Sequence, residues 1–423
     1  MLTNKQLETI CKGLPSNFQK AGLDPLMEVA KKAARDAEEN YNKLPEPKTR
    51  SLFSYTAFWI KSAIIFNEDN SNIGKLIREQ EGKNEQCKSA WRKHTEAHAK
   101  YYETILPGGD NNVLPKDRTP NTEDIWRKID ERIVFDTEEE ILKDHLPLFS
   151  ELKPKYISLV NALNNLAQAR GYKSQLESRI DEKVLKSFTD NKEAVVKHCQ
   201  EQISEMKVPS WFYSQFNRQK NLNFIKLLPN LPDIGLPDEI LDIASGEYPI
   251  LNKFRGRIFF DLDCKDSKAY YEKKTDTFKI IINKDKDRWE QTVELFNSIA
   301  NVISDLTSFE ANWNSESIND SVEHDPYWIE FKLLKKFLPK VYQARVLSIL
   351  SDIADIIFLL EVYKNPDQDL PKLYANAVNH CFPDAKQTEN YTYLIKDHLS
   401  FHPFSTLPQA IAQVKVLGES LDR

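Results

Sequence analysis

The sequence predicts a mostly α-helical protein carrying one small sheet. Glycines are few, 11 in 423 residues, and good helix formers (Lys, Glu, Leu, Ala) are plentiful. Strand-length β-branched runs are scarce. The clearest periodicity is helical, in Asp287 to Leu306, where Trp289, Val293, Phe296, Ile299, Ala300, Ile303 and Leu306 recur every three or four positions. That stretch is expected to be a core helix, with Asn297 and Asn301 one turn apart at the edge of its apolar stripe and Ser298 after the first.

Composition bounds the function classes. At 40% hydrophobic residues the chain can bury one large core or roughly two to three ordinary ones. The formal charge is −6 with both signs interspersed, and no Lys/Arg block lies beside aromatics, so nucleic acid is not an expected partner. Cys11, Cys87, Cys199, Cys264 and Cys381 are scattered and never form C-x-x-C. Neither a disulfide framework nor a cysteine zinc site is indicated, which fits a reducing cytoplasm. The opening MLTNKQLETI has no apolar signal core, and no run approaches the ~18 apolar residues of a membrane span. A cytoplasmic location without membrane contact is therefore expected.

Taken in order, residues 18–44 read as a helix starting near Asp24-Pro25 and ended by Pro45 and Pro47. Residues 52–65 are aromatic and apolar enough to be buried, and 73–105 read as a long amphipathic helix. Residues 106–124 gather Pro, Gly, Asn and Asp as a linker or surface loop does. They separate an N-terminal helical region, 1–105, from a larger domain, 125–423. Helical patterns resume from Ile125 to about Met206. After the proline-rich 227–249, Arg255 to Leu262 alternates as a strand would, Thr277 to Ile282 is a second strand, and 283–286 is a turn, giving a short antiparallel sheet. Helices are expected again over 327–338 and 342–362. No internal repeat is present.

Two pairs invite a metal reading. Asn297-Ser298-Ile299-Ala300-Asn301 has the frame of H-E-x-x-H, in which two histidines one turn apart hold zinc and the glutamate activates water. His94 and His98 are also four apart on one expected helix face. There Glu96 is out of place for the zincin motif, no third ligand is near in sequence, and Arg92, Lys93 and Lys100 suggest a solvated face.

Several stretches, in order, resemble the oligoendopeptidase F and thimet oligopeptidase group of zinc metallopeptidases. LAQARGYKSQLE, residues 166–177, is similar to the family's Ala-Arg-x-x-Gly-Tyr segment, although Gly171 here follows Arg170 directly. Phe259-Phe260-Asp261-Leu262 looks like part of the family's hairpin, and Phe296 to Ser304 superposes on its F-H-E-F-G-H-A-L-H. Glu323 and Glu330 are seven apart, as in the family's E-x6-E helix, whose first glutamate completes the zinc site. His398 to Ser405 resembles H-F-x-x-x-P-F-Y, with Ile411-Ala412-Gln413 continuing the match.

The resemblance covers Glu140 to Gln413 and implies a mostly α, zincin-like oligoendopeptidase fold: helical lobes around a cleft, with the small antiparallel sheet beside the former active-site helix. It also implies what is lost. The zinc histidines become Asn297 and Asn301, the catalytic glutamate becomes Ser298, and two C-terminal tyrosines become Ser405 and Gln409. Glu323 and His398 remain.

Neutral amides are poor zinc ligands and a serine hydroxyl is no base near neutral pH, so neither cofactor nor peptidase chemistry is expected. The expectation is a pseudopeptidase binding a peptide, a protein segment or a small ligand through Asn297, Ser298, Asn301, Glu323, His398, Ser405 and Gln409. A blander reading makes Asn297 and Asn301 a hydrogen-bonded core pair. The same residues also leave room for a different enzyme using His398, Glu323 or Ser298, for a metal at His94 and His98, or for an interaction protein with a closed cleft.

Overall fold

The computed structural model describes residues 2–14, 23–44, 52, 55–57, 59–60, 84–105, 129, 138–180, 182–204, 215, 237–265, 267–272, 275–286, 288–310, 325–400 and 407–421. Within these the helices are, in chain order, α1 (Asn4–Lys12), α2 (Leu23–Asn42), α3 (Glu85–Ile105), α4 (Glu138–Ala169), α5 (Gln175–Arg179), α6 (Glu182–Ser204), α7 (Pro237–Glu247) and α8 (Ile250–Phe254). Three strands follow, β1 (Ile258–Cys264), β2 (Lys268–Glu272) and β3 (Thr277–Asn283). The longer helices that remain are α9 (Arg288–Glu310), α10 (Pro326–Phe337), α11 (Pro339–Lys364), α12 (Leu370–Cys381) and α13 (Leu407–Leu421), with one further turn at Asp397–Ser400. The mostly helical architecture with one small sheet is as the sequence predicts. The expected linker 106–124, the end of the expected buried segment (61–65) and parts of the expected helices (73–83, 125–128 and 130–137) lie outside the described residues.

The chain forms two compact units, neither of them continuous. One comprises Met1–Lys83 and Asn230–Val341, the other Asn84–Pro229 and Tyr342–Arg423. The expected regions 1–105 and 125–423 each contribute to both.

In the first unit, α1 opens with a capping box: Thr3 Oγ1 accepts from the Gln6 amide at 3.3 Å and Gln6 Oε1 accepts from the Thr3 amide at 2.9 Å. Its Leu7, Ile10 and Cys11 pack against Leu26, Ala30, Ala33 and Ala34 of α2, small side chains that let the two helices approach closely. The proline-rich passage is partly helical, because Pro237 stands at the first position of α7, where its missing N–H costs no hydrogen bond.

The sheet is a correction to the sequence reading, which expected an antiparallel pair. Its order is β1-β3-β2, with β1 parallel to β3 and β2 antiparallel to it. The strand passed over by the pattern, KAYYE, turns back from β3 as a hairpin partner, and β3 inserts between its two predecessors. On β3, Phe278, Ile280 and Ile282 are buried while the alternating residues are half-buried. That buried face receives α9, whose Phe296, Ile299, Ala300, Ile303 and Leu306 have essentially no exposure.

In the second unit the 32-residue α4 contains Pro147 and Pro154. Both are exposed, and so are Lys143 and Ser150, the residues whose carbonyls they leave without a helical donor. Water can satisfy those groups, and the helix continues. A buried aromatic cluster holds the unit together. Tyr393 stands between Tyr156 (5.3 Å, edge-on) and Phe358 (4.9 Å), and Tyr374 meets Phe358 at 5.0 Å. Tyr101 and Tyr156 donate to the carbonyls of Leu394 (2.5 Å) and Leu399 (3.2 Å). Lys396 donates to both carboxylate oxygens of Asp355, at 3.0 and 3.1 Å, and to the Tyr374 hydroxyl at 2.6 Å. No helix of the described residues is long and apolar enough to cross a membrane.

Candidate functional site

The site belongs to the first unit and is built on α9 and α10. α9 packs one face on the sheet, and its neighbour α10 starts cleanly because Asp325 caps it, accepting from the Tyr327 amide at 2.8 Å, with Pro326 at the first helical position. Ile329, Phe331, Leu333 and Leu334 bury the inner face of α10. Glu330 is carried in with them and is only 1% exposed.

That carboxylate meets α9. Asn297 Nδ2 donates to Glu330 Oε2 at 2.9 Å, and Asn301 Nδ2 donates to Asn297 Oδ1 at 3.1 Å and to the Asn297 carbonyl at 2.9 Å. The result is a directed chain from the exposed Asn301, through the half-buried Asn297, to the buried Glu330. Both functions of the Asn297 amide are engaged, its nitrogen by a carboxylate and its oxygen by the next amide. Ser298 is 6% exposed, on the buried side of the helix.

The two asparagines are thus hydrogen-bonded to each other, but they are not a core pair, since Asn301 faces solvent. Glu323 lies outside the described residues, as does Ser405. His398 and Gln409 belong, with Ser405, to the second unit, and their side chains are likewise outside the description. Glu330 entered the sequence reading only as the second member of a glutamate pair. The signal that singles it out is an acidic residue flanked by Ile329 and Phe331 and followed by Leu333 and Leu334 in a short helix with an apolar inner face.

The donor set does not fit zinc of the metallopeptidase kind. Two amides and one carboxylate offer oxygen donors only, whereas catalytic zinc takes imidazole or thiolate nitrogen and sulfur with at most one carboxylate. Among the described residues, no group of three or more His, Cys, Asp or Glu is placed to hold a metal ion. No hydrolytic step through zinc is derived from these residues.

No protein-family model matches this chain, and no curated protein does. Among solved structures it is similar to a chain titled "PZ peptidase A with inhibitor 2", at 13% identity over 94% of this chain and 85% of that one, with a TM-score of 0.31, a likeness too slight to carry an argument.

Proposed function

We propose that this protein is an oligoendopeptidase-like chain without zinc-dependent hydrolysis, which binds a peptide or protein segment at the former active-site helix α9. The observation behind this reading is the Asn301–Asn297–Glu330 chain. Where the resemblance expects two imidazoles aimed at a metal beside a carboxylate, two amides bond to each other and to a carboxylate instead. An amide is neutral and carries a donor and an acceptor, the same pair that a peptide backbone presents. Asn301, at the exposed end, is the residue that meets the ligand, and Asn297 holds it in orientation against Glu330. Ser298 has no basic function, so a bound peptide is not attacked by an activated water. All five cysteines are free thiols, which supports a reducing, cytoplasmic setting.

The test uses untagged protein incubated with zinc, dialysed, and mixed with a fluorescein-labelled pool of short mixed-sequence peptides. The expected result is well under one zinc per chain, no chelator-sensitive cleavage, and a saturable anisotropy change that Asn301→Ala weakens roughly tenfold, as for loss of a hydrogen-bonding contact of about 1.4 kcal/mol. Chelator-sensitive cleavage, or tight zinc that Asn297→Ala releases, would overturn the reading. Binding that ignores Asn301→Ala would remove the site.

A further inference from the structure

The second unit carries a different arrangement on α3. Trp91, His94, His98 and Tyr102, spaced three, four and four apart, form a continuous ladder of rings. Their successive centroids are 5.6, 5.8 and 4.4 Å apart. Cys87, Ala90, Ala97, Tyr101 and Ile105 take the buried side of the helix, and the ladder runs along its margin, with Trp91 53% exposed and both histidines half-buried.

We propose that His94 and His98 form a two-imidazole site for a divalent transition metal. Two imidazoles sharing one ion at a metal–nitrogen distance of about 2.1 Å place their ring centres roughly 4.5–5.5 Å apart, and the pair, at 5.8 Å, reaches that range by a small ring movement. Neither ring has to be recruited from solvent. His94 is held between Trp91 and His98, and His98 between His94 and Tyr102, so the rotamer freedom usually lost on metal binding is already restricted.

His94 Nδ1 is buried and has no hydrogen-bond partner among the described residues, which leaves Nε2 as the nitrogen a metal reaches. The donors are two borderline nitrogens with no carboxylate among them, a set suited to copper, nickel or zinc and not to magnesium or calcium.

With no group of three His, Cys, Asp or Glu placed for a metal among the described residues, those residues supply two positions. The others stay open to water or to a donor from a bound molecule. The Arg170 guanidinium, 5.8 Å from the centre of the neighbouring Trp91 ring, is a like charge that opposes a bound cation and weakens the expected affinity. Such an ion exchanges during dialysis, so this site and the reading of α9 fail or stand separately.

The experiment titrates the whole chain with copper(II), nickel(II) and, as a control, magnesium in a non-chelating buffer, by calorimetry and tryptophan fluorescence. One copper or nickel per chain is expected, with partial quenching that disappears in Trp91→Phe while the stoichiometry stays. His94→Gln and His98→Gln should each raise Kd roughly tenfold or more, with circular dichroism unchanged. No saturable binding, or binding that survives both substitutions in a folded protein, would overturn the proposal. So would quenching that persists in Trp91→Phe.

Discussion

Asn297 connects an exposed amide to a buried carboxylate, and the two ends of that connection differ in cost. Glu330, at 1% exposure, sits in an environment where a charged group that loses a donor is penalised far more than an exposed one. Asn297→Leu should therefore destabilise the fold by about 2 kcal/mol, while Asn301→Ala, which keeps the Asn297–Glu330 bond and leaves the half-buried Asn297 amide oxygen to water, should stay within about 0.5 kcal/mol of the wild type. Urea unfolding measures both. Equal losses, or a stabilised Asn297→Leu protein, would mean that Glu330 does not depend on this amide. The positions of Asn297 and Asn301 at the stripe's edge were legible from period alone. Their partner was not, because helical spacing assigns residues to a face but does not say which face of which helix it meets, and Glu330 lies 33 positions away.

At the scale of the element, the sheet shows the same limit. Alternation in 255–262 and 277–282 identified two strands, and neither pattern encodes a direction of pairing. What fixes the topology is the β2–β3 connection and what it buries. Asp276 there has a left-handed backbone, φ +52, and a side chain with no exposure. Its carboxylate accepts from the Tyr271 hydroxyl on β2 and from the Arg257 guanidinium just before β1, so one residue in the turn ties all three strands. Asp276→Gly tests which matters more. Glycine relieves a left-handed conformation worth roughly 1 kcal/mol, but removing one member of a buried pair costs about 3 kcal/mol or more. The expected outcome is a net loss of about 2 kcal/mol, read from urea unfolding, with Asp276→Asn losing less because it keeps a hydroxyl acceptor. A glycine variant as stable as the wild type would show that backbone strain, not the carboxylate, governs the turn.

The whole molecule divides its chain between two units, and local periodicity is blind to that division. Cys199 and Cys381, 182 positions apart by their numbers, belong to one unit, and both are buried. Scattered, unpaired cysteines were legible in the sequence; which of them the fold hides was not, and it sets a measurable pattern. Burial pushes the Cys11 thiol up to about 11 and Cys199 up to about 12, and raises Cys381 further. Cys87 is buried as well, its thiol donating to the Ala169 carbonyl at 3.1 Å. Cys264, at the end of β1, is the half-exposed one of the five. A thiol-specific chromogenic disulfide should therefore modify one cysteine quickly in the native protein and all five in denaturant, with the fast phase absent in Cys264→Ser. That fast phase should itself lag a free thiol at neutral pH. The Cys264 thiol donates to Asp261 Oδ2 at 3.2 Å, and this bond, then desolvation and the carboxylate's charge, raise its pKa. The attacking species is the thiolate, so the rate should climb at higher pH than for a free thiol, and Asp261→Asn should speed it at pH 7.5. Several fast thiols in the native state would contradict the burial of the other four, and a rate indifferent to Asp261→Asn would remove the carboxylate as the cause of the lag.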